Sequence, residues 1–301
     1  MSKIAVGKEY DFSLSYLERE GSASDVASEH LNTGKSESDQ IIRAPRASSI
    51  YSACIRMNCI ATKLGVPIRQ RLDVGTKITF GIGRAVHEWV QNTDEVFGDN
   101  KYGWWKCRSC GDIMPFSNTT PESCGECGAK KAAFKYEEHH VKTKAPYICS
   151  GHPDMFIKTN SSNKLRVVEV KTIASSGFKG LVMPLVEHNW QLQYYMWACS
   201  KDESLLYHTD GIDDMVGYVL YISKGAMWNT LPLKMYPVKK DESIIQHIKN
   251  KLLLYNDYIN GGELPRAKAK CELKLKTEEP IWQCPVYRQC GELYREENKC
   301  D

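Results

Sequence analysis

Two groups of residues in this 301-residue chain have types and spacings that could do chemistry. The first is Gly151-His152-Pro153-Asp154, followed by Glu169-Val170-Lys171. Both fall in β-rich segments, 152–158 and 166–172, separated by a polar turn over 160–164. Strand alternation sends Glu169 and Lys171 to one face and Val170 to the other. Pairing across the turn brings the Asp154 carboxylate beside Glu169. Two such carboxylates suit a hard divalent cation, Mg²⁺ or Mn²⁺. A cation held there polarises a phosphoryl oxygen and lowers the pKa of an attacking water. Lys171 is then placed to position that water and to steady charge developing on phosphate. Alone, Glu-x-Lys is an ordinary exposed strand face, so its weight depends on what accompanies it.

The second group is cysteine, of which the chain has twelve. Cys107-x2-Cys110 and Cys124-x2-Cys127 are two knuckles 13 residues apart, and Gly111 and Gly128 follow them to relieve the turns. Four thiolates so arranged suit tetrahedral Zn²⁺ in a ribbon, with an iron centre or a redox pair as alternatives. A ribbon this small lacks a core, so its metal contributes folding free energy directly. Trp104, Trp105, Lys106 and Arg108 either stack on and neutralise nucleic acid or pack the ribbon onto its host.

The elements that must position these groups follow from periodicity. Residues 47–64 predict a helix with Ile50, Cys54 and Met57 on one stripe, and 83–93 predict a second. A helix over 187–199, a strand over 216–223 and a helix over 243–260 stopped by Gly261-Gly262 complete the pattern. The fold expected is α/β, a mixed central sheet flanked by helices. Five regions are expected. They are a loosely packed N-terminal segment (1–46), a first part of the main domain (47–97), the inserted ribbon (98–133), the core (134–260) and a closing C-terminal segment (261–301). Thr33-Gly34-Lys35-Ser36 has Glu29 where a phosphate loop needs glycine, so no nucleotide-driven motor is expected. Forty basic against 37 acidic side chains, formally +3, is too weak a bias to imply DNA by itself. No apolar run reaches the ~18 residues of a membrane span.

Pro153-Asp154 and Glu169-Val170-Lys171 resemble the PD-(D/E)xK nuclease superfamily. More narrowly the chain is similar to its RecB-like branch, with CRISPR-associated RecB-like and phage exonucleases. That branch carries a helical GxxxH, matched by Gly83-Arg84-Ala85-Val86-His87, and a QxxxY, matched by Gln191-Leu192-Gln193-Tyr194-Tyr195. The resemblance spans about residues 47 to 295, excluding the ribbon. It implies a restriction-endonuclease-like core in which His87, Asp154, Glu169 and the Val170 carbonyl hold Mg²⁺ or Mn²⁺. Lys171 is the catalytic lysine, and Gln191 and Tyr195 lie beside the substrate strand. Glu137 or Glu138, just before the Gly-His-Pro-Asp strand, could support the site, but adjacent glutamates with two histidines fit an exposed strand edge as well, and neither is assigned a role.

Many members of the branch also hold a [4Fe–4S] cluster through one cysteine before the histidine motif and three near the C-terminus. Cys54, Cys284 and Cys290 match that pattern. Ile281 stands where the usual CxxC spacing needs a ligand, so Cys271 is the nearest replacement and Cys300 the alternative. A second zinc or unligated cysteines are the other readings. Cys59, Cys149 and Cys199 read as packing residues.

The resemblance implies a divalent-metal-dependent DNA exonuclease acting on single-stranded ends in repair, recombination, phage DNA processing or CRISPR-related processing. Its partners would be DNA with a free end and a helicase or recombination protein. The alternatives are a structure-specific endonuclease and a non-catalytic nucleic-acid-binding scaffold. The start of the sequence lacks a signal-peptide core, so the expected location is cytoplasmic, the host cytoplasm for a phage protein.

Overall fold

Strand β7 (Ser162–Ile173) runs through the middle of the sheet and carries the Glu-x-Lys motif. In the computed structural model its neighbours are β6 (Met155–Thr159), antiparallel, and β8 (Val216–Ser223), parallel. The whole sheet runs β2 (Ile113–Ser117), β1 (Lys101–Cys107), β6, β7, β8 and β9 (Leu233–Lys239), with β3 (Phe134–Glu137) also paired to β1. It is therefore a mixed sheet. A separate two-stranded ribbon pairs β4 (Val141–Thr143) with β5 (Cys149–Gly151). The structure describes residues 44–65, 74–160, 162–206, 210–225, 231–277 and 284–298. The phosphate-loop look-alike, Cys300 and Ile281 lie outside them.

The helices are α1 (Ile55–Leu64), α2 (Val74–Asn92), α3 (Ser175–Gly180), α4 (Val186–Cys199), α5 (Glu203–Leu206), α6 (Glu242–Ile259), α7 (Ala269–Lys276) and α8 (Tyr287–Glu297). The chain divides into two compact units, residues 1–38 with 71–80, and 39–70 with 81–301. Of the first unit, the described residues 74–80 are the opening turns of α2. All that follows concerns the second.

Alternation along the central strands sorts side chains onto two faces. Val167, Val219 and Tyr221 pack with Leu192, Tyr195 and Met196 of α4 and with Ile248 and Leu252 of α6. Val168, Val170, Leu220 and Ile222 pack on the other face with Val86 and Val90 of α2 and with Trp105. Burial on both faces explains why β8 is almost continuously apolar, as parallel strands are. Helix α6 starts where the Asp241 side chain accepts hydrogen bonds from Ser243 N and Ile244 N, an N-cap.

Two sequence expectations change, and one choice that the sequence left open is decided. The helix predicted over 47–64 begins only at Ile55, with Cys54 as its N-cap, after a short 3-10 turn at Ala47–Ser49. Ile50 therefore joins the core from a turn rather than from a helical stripe shared with Cys54. The ribbon is not bounded at 98 and 133. Lys101 and Tyr102 of β1 pair with Ile157 and Phe156 of β6, while Trp104–Cys107 pair with β3, so one strand belongs to sheet and ribbon together. Trp105 is buried and Trp104 packs on Phe116 and His139, so the tryptophans join ribbon to host instead of forming an open stacking surface.

Candidate functional site

The β6–β7 register pairs Met155 with Val168 and Phe156 with Val167. Continued by one residue, it sets Asp154 opposite Glu169. Asp154 Oδ2 accepts the Val170 backbone N–H at 2.6 Å. Helix α2 delivers His87, whose Nδ1 lies 3.3 Å from Asp154 Oδ1. Gly83, one turn earlier, allows this approach: a Cβ there would stand 3.2 Å from Thr172 Oγ1 on β7. Glu169 and Lys171 share a face, and Lys171 Nζ is 2.7 Å from Glu169 Oε1.

The electrostatics are those of a crowded, half-dry site. Burial, then the Asp154 charge, raises the Glu169 carboxyl to about 8 against the pull of Lys171. Burial opposes a charged His87, but its hydrogen bond to Asp154 and the charges of Asp154 and Glu169 outweigh it, and its pKa rises. Burial also opposes the Lys171 charge, and Glu169 and Asp154 hold the ammonium up. Glu169 Oε2 is buried without a hydrogen-bond partner among the described residues. A buried carboxylate oxygen without a partner is what a cation would satisfy, although the ligand atoms that gather within 4.8 Å of one another are those of His87, Glu138 and Asp154, without Glu169. The carboxylate oxygens are donors of the kind that Mg²⁺ and Mn²⁺ take, and the imidazole nitrogen is a softer donor beside them.

Gln191 and Tyr195 lie one turn apart on α4, with Gln191 Nε2 donating to Tyr195 Oη at 3.2 Å. Both are buried. The Tyr195 hydroxyl is pushed well up, first by burial and next by the Glu169 charge. Gly151 makes room for it: a Cβ at Gly151 would come within 2.8 Å of the Tyr195 ring and 2.7 Å of Ala47.

Several residues beside the site were missed or set aside by the sequence reading. Glu138 follows directly on β3, and its ligand oxygen lies within 4.8 Å of those of His87 and Asp154. Gln91, four residues after His87, donates to Glu138 Oε1 at 2.8 Å and to the Asp154 carbonyl at 3.0 Å. Spacing of four on one helix could have flagged Gln91. Tyr221 pairs in register with Lys171 across β7 and β8, and its hydroxyl lies 2.7 Å from His188 Nδ1 and accepts the Leu185 N–H at 2.9 Å. Burial, then the Lys171 charge, pushes His188 down to about 4. A β-strand partner 50 residues away in sequence leaves no local signal.

The four ribbon cysteines converge into a group able to hold a metal such as zinc. Cys107 and Cys127 sulfurs are 3.7 Å apart, and those of Cys110 and Cys124 are 3.6 Å apart. Tetrahedral zinc with Zn–S near 2.3 Å separates its sulfurs by about 3.8 Å. The knuckles repeat one geometry: Gly111 N donates to Cys107 O and Gly128 N to Cys124 O, both glycines at positive φ.

The remaining cysteines divide in two. Cys59, Cys149 and Cys199 are fully buried. Cys54, Cys271, Cys284 and Cys290 are partly buried, and their sulfurs do not gather within 4.8 Å of one another as the ribbon's do. Burial raises the Cys284 thiol, followed by its neighbours Cys54, Cys290 and Cys271. Around them α1 meets α8: Arg56 donates to Cys290 Sγ at 3.2 Å and pairs with Glu297 at 3.0 Å.

No protein-family model matches the chain, and no curated protein sequence matches it. Among solved structures, that of SSO0001 matches 86% of this chain and 88% of its own at 15% identity and a TM-score of 0.35. A likeness that slight carries no argument about fold or function.

Proposed function

We propose that this chain is a divalent-metal-dependent DNA exonuclease that hydrolyses phosphodiester bonds at single-stranded ends, built on a restriction-endonuclease-like core of the RecB type. The observation that carries it is the convergence of His87, Asp154, Glu169 and Lys171 from one helix and two paired strands, with a buried Glu169 oxygen lacking a partner. His87, Asp154, Glu169 and the Val170 carbonyl would hold Mg²⁺ or Mn²⁺. Such a cation supplies Lewis acidity toward a phosphoryl oxygen and makes water a better nucleophile. Asp154 is locked by Val170 N, so its second oxygen is free to stay toward His87. Lys171 keeps its proton and stands where it can release Glu169 and steady the charge gathering on phosphate. Gln191 and Tyr195, hydrogen-bonded to each other on α4, would lie beside the substrate strand.

In the same reading Cys107, Cys110, Cys124 and Cys127 hold Zn²⁺. Cys54, Cys271, Cys284 and Cys290 hold a [4Fe–4S] cluster that ties α1 to the C-terminal helix. Four partly buried thiols, those of Cys54, Cys271 and Cys290 close enough to act on that of Cys284, fit such a group. A helicase or recombination partner would supply the unwound end.

The test is digestion of end-labelled linear and covalently closed single-stranded circular DNA by protein purified without oxygen, with and without Mg²⁺ or Mn²⁺. We expect metal-dependent loss of the linear strand and survival of the circle. Rapid cutting of the circle makes the chain an endonuclease. Binding of both DNAs with cleavage of neither makes it a scaffold.

A further inference from the structure

We propose that Glu138 is a direct ligand of the hydrolytic cation, so that the return strand of the cysteine-rich ribbon builds one wall of the catalytic centre. The inference rests on the nuclease reading and adds a ligand to it. The residues that resemble the RecB-like motifs do not include Glu138, and its sequence context, two glutamates and two histidines after a strand, carries no distinguishing pattern.

Three observations converge. The ligand atoms of His87, Glu138 and Asp154 all lie within 4.8 Å of one another, close enough to share one ion. Glu138 is held in that place. Gln91 of α2 donates to its Oε1 and to the Asp154 carbonyl, and so clamps the ribbon strand to the start of β6. Asn92 Oδ1 accepts the Tyr136 N–H at 2.8 Å, which fixes β3 against the end of the same helix. The third observation is independent of Glu138: Glu169 Oε2 is buried with no partner, and Glu169 lies close enough to His87 and Asp154 to feel both charges. Three carboxylates gathered around one imidazole repel one another unless a cation or a proton lies among them.

A purely structural Glu138 would only accept the Gln91 amide. The two roles differ in what losing the carboxylate does to an ion. Removing a ligand opens a coordination position, which water fills. Removing a brace weakens the site but leaves the ion's own shell intact.

The experiment measures Mn²⁺ binding by calorimetry, and the waters on bound Tb³⁺ from its luminescence lifetimes in H₂O and D₂O. The proteins are the full-length wild type, Glu138→Ala and Asp154→Ala. Alanine brings no ligand atom, whereas a glutamine oxygen could still hold the ion, and it leaves room for water. We expect Glu138→Ala to weaken Mn²⁺ binding at least ~10-fold, the lower end of what loss of an outer-shell partner costs, and to add about one water to bound Tb³⁺. A Glu138→Ala protein with the wild-type water count overturns the assignment, whatever its affinity, provided Asp154→Ala loses the ion. A wild type that holds neither ion ends this inference and the nuclease reading together.

Discussion

Asp154 Oδ2 accepts the backbone N–H of Val170 at 2.6 Å, and this one bond locks the two motif strands at the point where their carboxylates meet. It leaves Asp154 Oδ1 beside His87 and sets the side chains before and after Val170, Glu169 and Lys171, on the opposite face from Val170 itself. Removing either strand's acid therefore disturbs the proposed hydrolytic centre without touching the apolar core on which Val168 and Val170 pack.

Lys171→Ala should lower DNA turnover by ~10²–10³-fold or more, the scale of removing one preorganised stabiliser, while Mn²⁺ affinity stays measurable. Asp154→Ala and Glu169→Ala should lose turnover and metal together. Single-turnover cleavage alongside calorimetry separates the two. Equal cleavage by wild type and Lys171→Ala sinks the assignment.

The cysteine systems should part cleanly under mutation. Cys110→Ser should lose zinc and leave the brown colour of an iron–sulfur protein. Cys290→Ser should lose the colour and keep the zinc. If Cys271→Ser keeps full iron and sulfide while Cys300→Ser loses them, the fourth ligand is Cys300. Anaerobic metal and sulfide analysis with visible spectra reads all four, and two zincs without iron would remove the cluster.

His188 sets an acid limit. Its folded pKa, about 4, lies below the usual histidine value of 6.5. The unfolded chain therefore binds the proton more readily than the folded one. This contribution is fully present above pH 6.5 and falls away as the pH drops from 6.5 toward 4. His188→Gln should lose less stability than wild type between pH 7 and pH 5, measured as the difference in thermal midpoint. An equal acid drop in both proteins would show that His188 plays no part.

Gly151→Ala should be costly for so small a change. Its new methyl would meet Tyr195 at 2.8 Å and Ala47 at 2.7 Å, distances that force one of them to move. Overpacking of this kind costs about 1–3 kcal/mol. Chemical denaturation should show that loss.

Much of this protein was legible in the residues themselves. Alternation on Glu169-Val170-Lys171, the turn before it and the doubled Cys-x2-Cys are local patterns, and local geometry follows from period and spacing. The α4, β8 and α6 segments were equally legible, because burial on one face or both leaves a period in the sequence. The start of α1 was not. Ile50 and Cys54 are helically spaced, yet Ile50 is drawn into the core from a turn and the helix waits until Ile55. Tyr221 and His188 were beyond reach for another reason, as was the choice of Glu138 over an exposed strand edge. Each is placed by a partner distant in sequence: β3 by the ladder it shares with β1, Tyr221 by parallel register with Lys171, His188 by Tyr221. Sequence spacing determines which side chains share a face of one element. Which faces meet is decided by how elements far apart along the chain bury their apolar sides together, and only that packing turned the edge of a ribbon into a wall of the site.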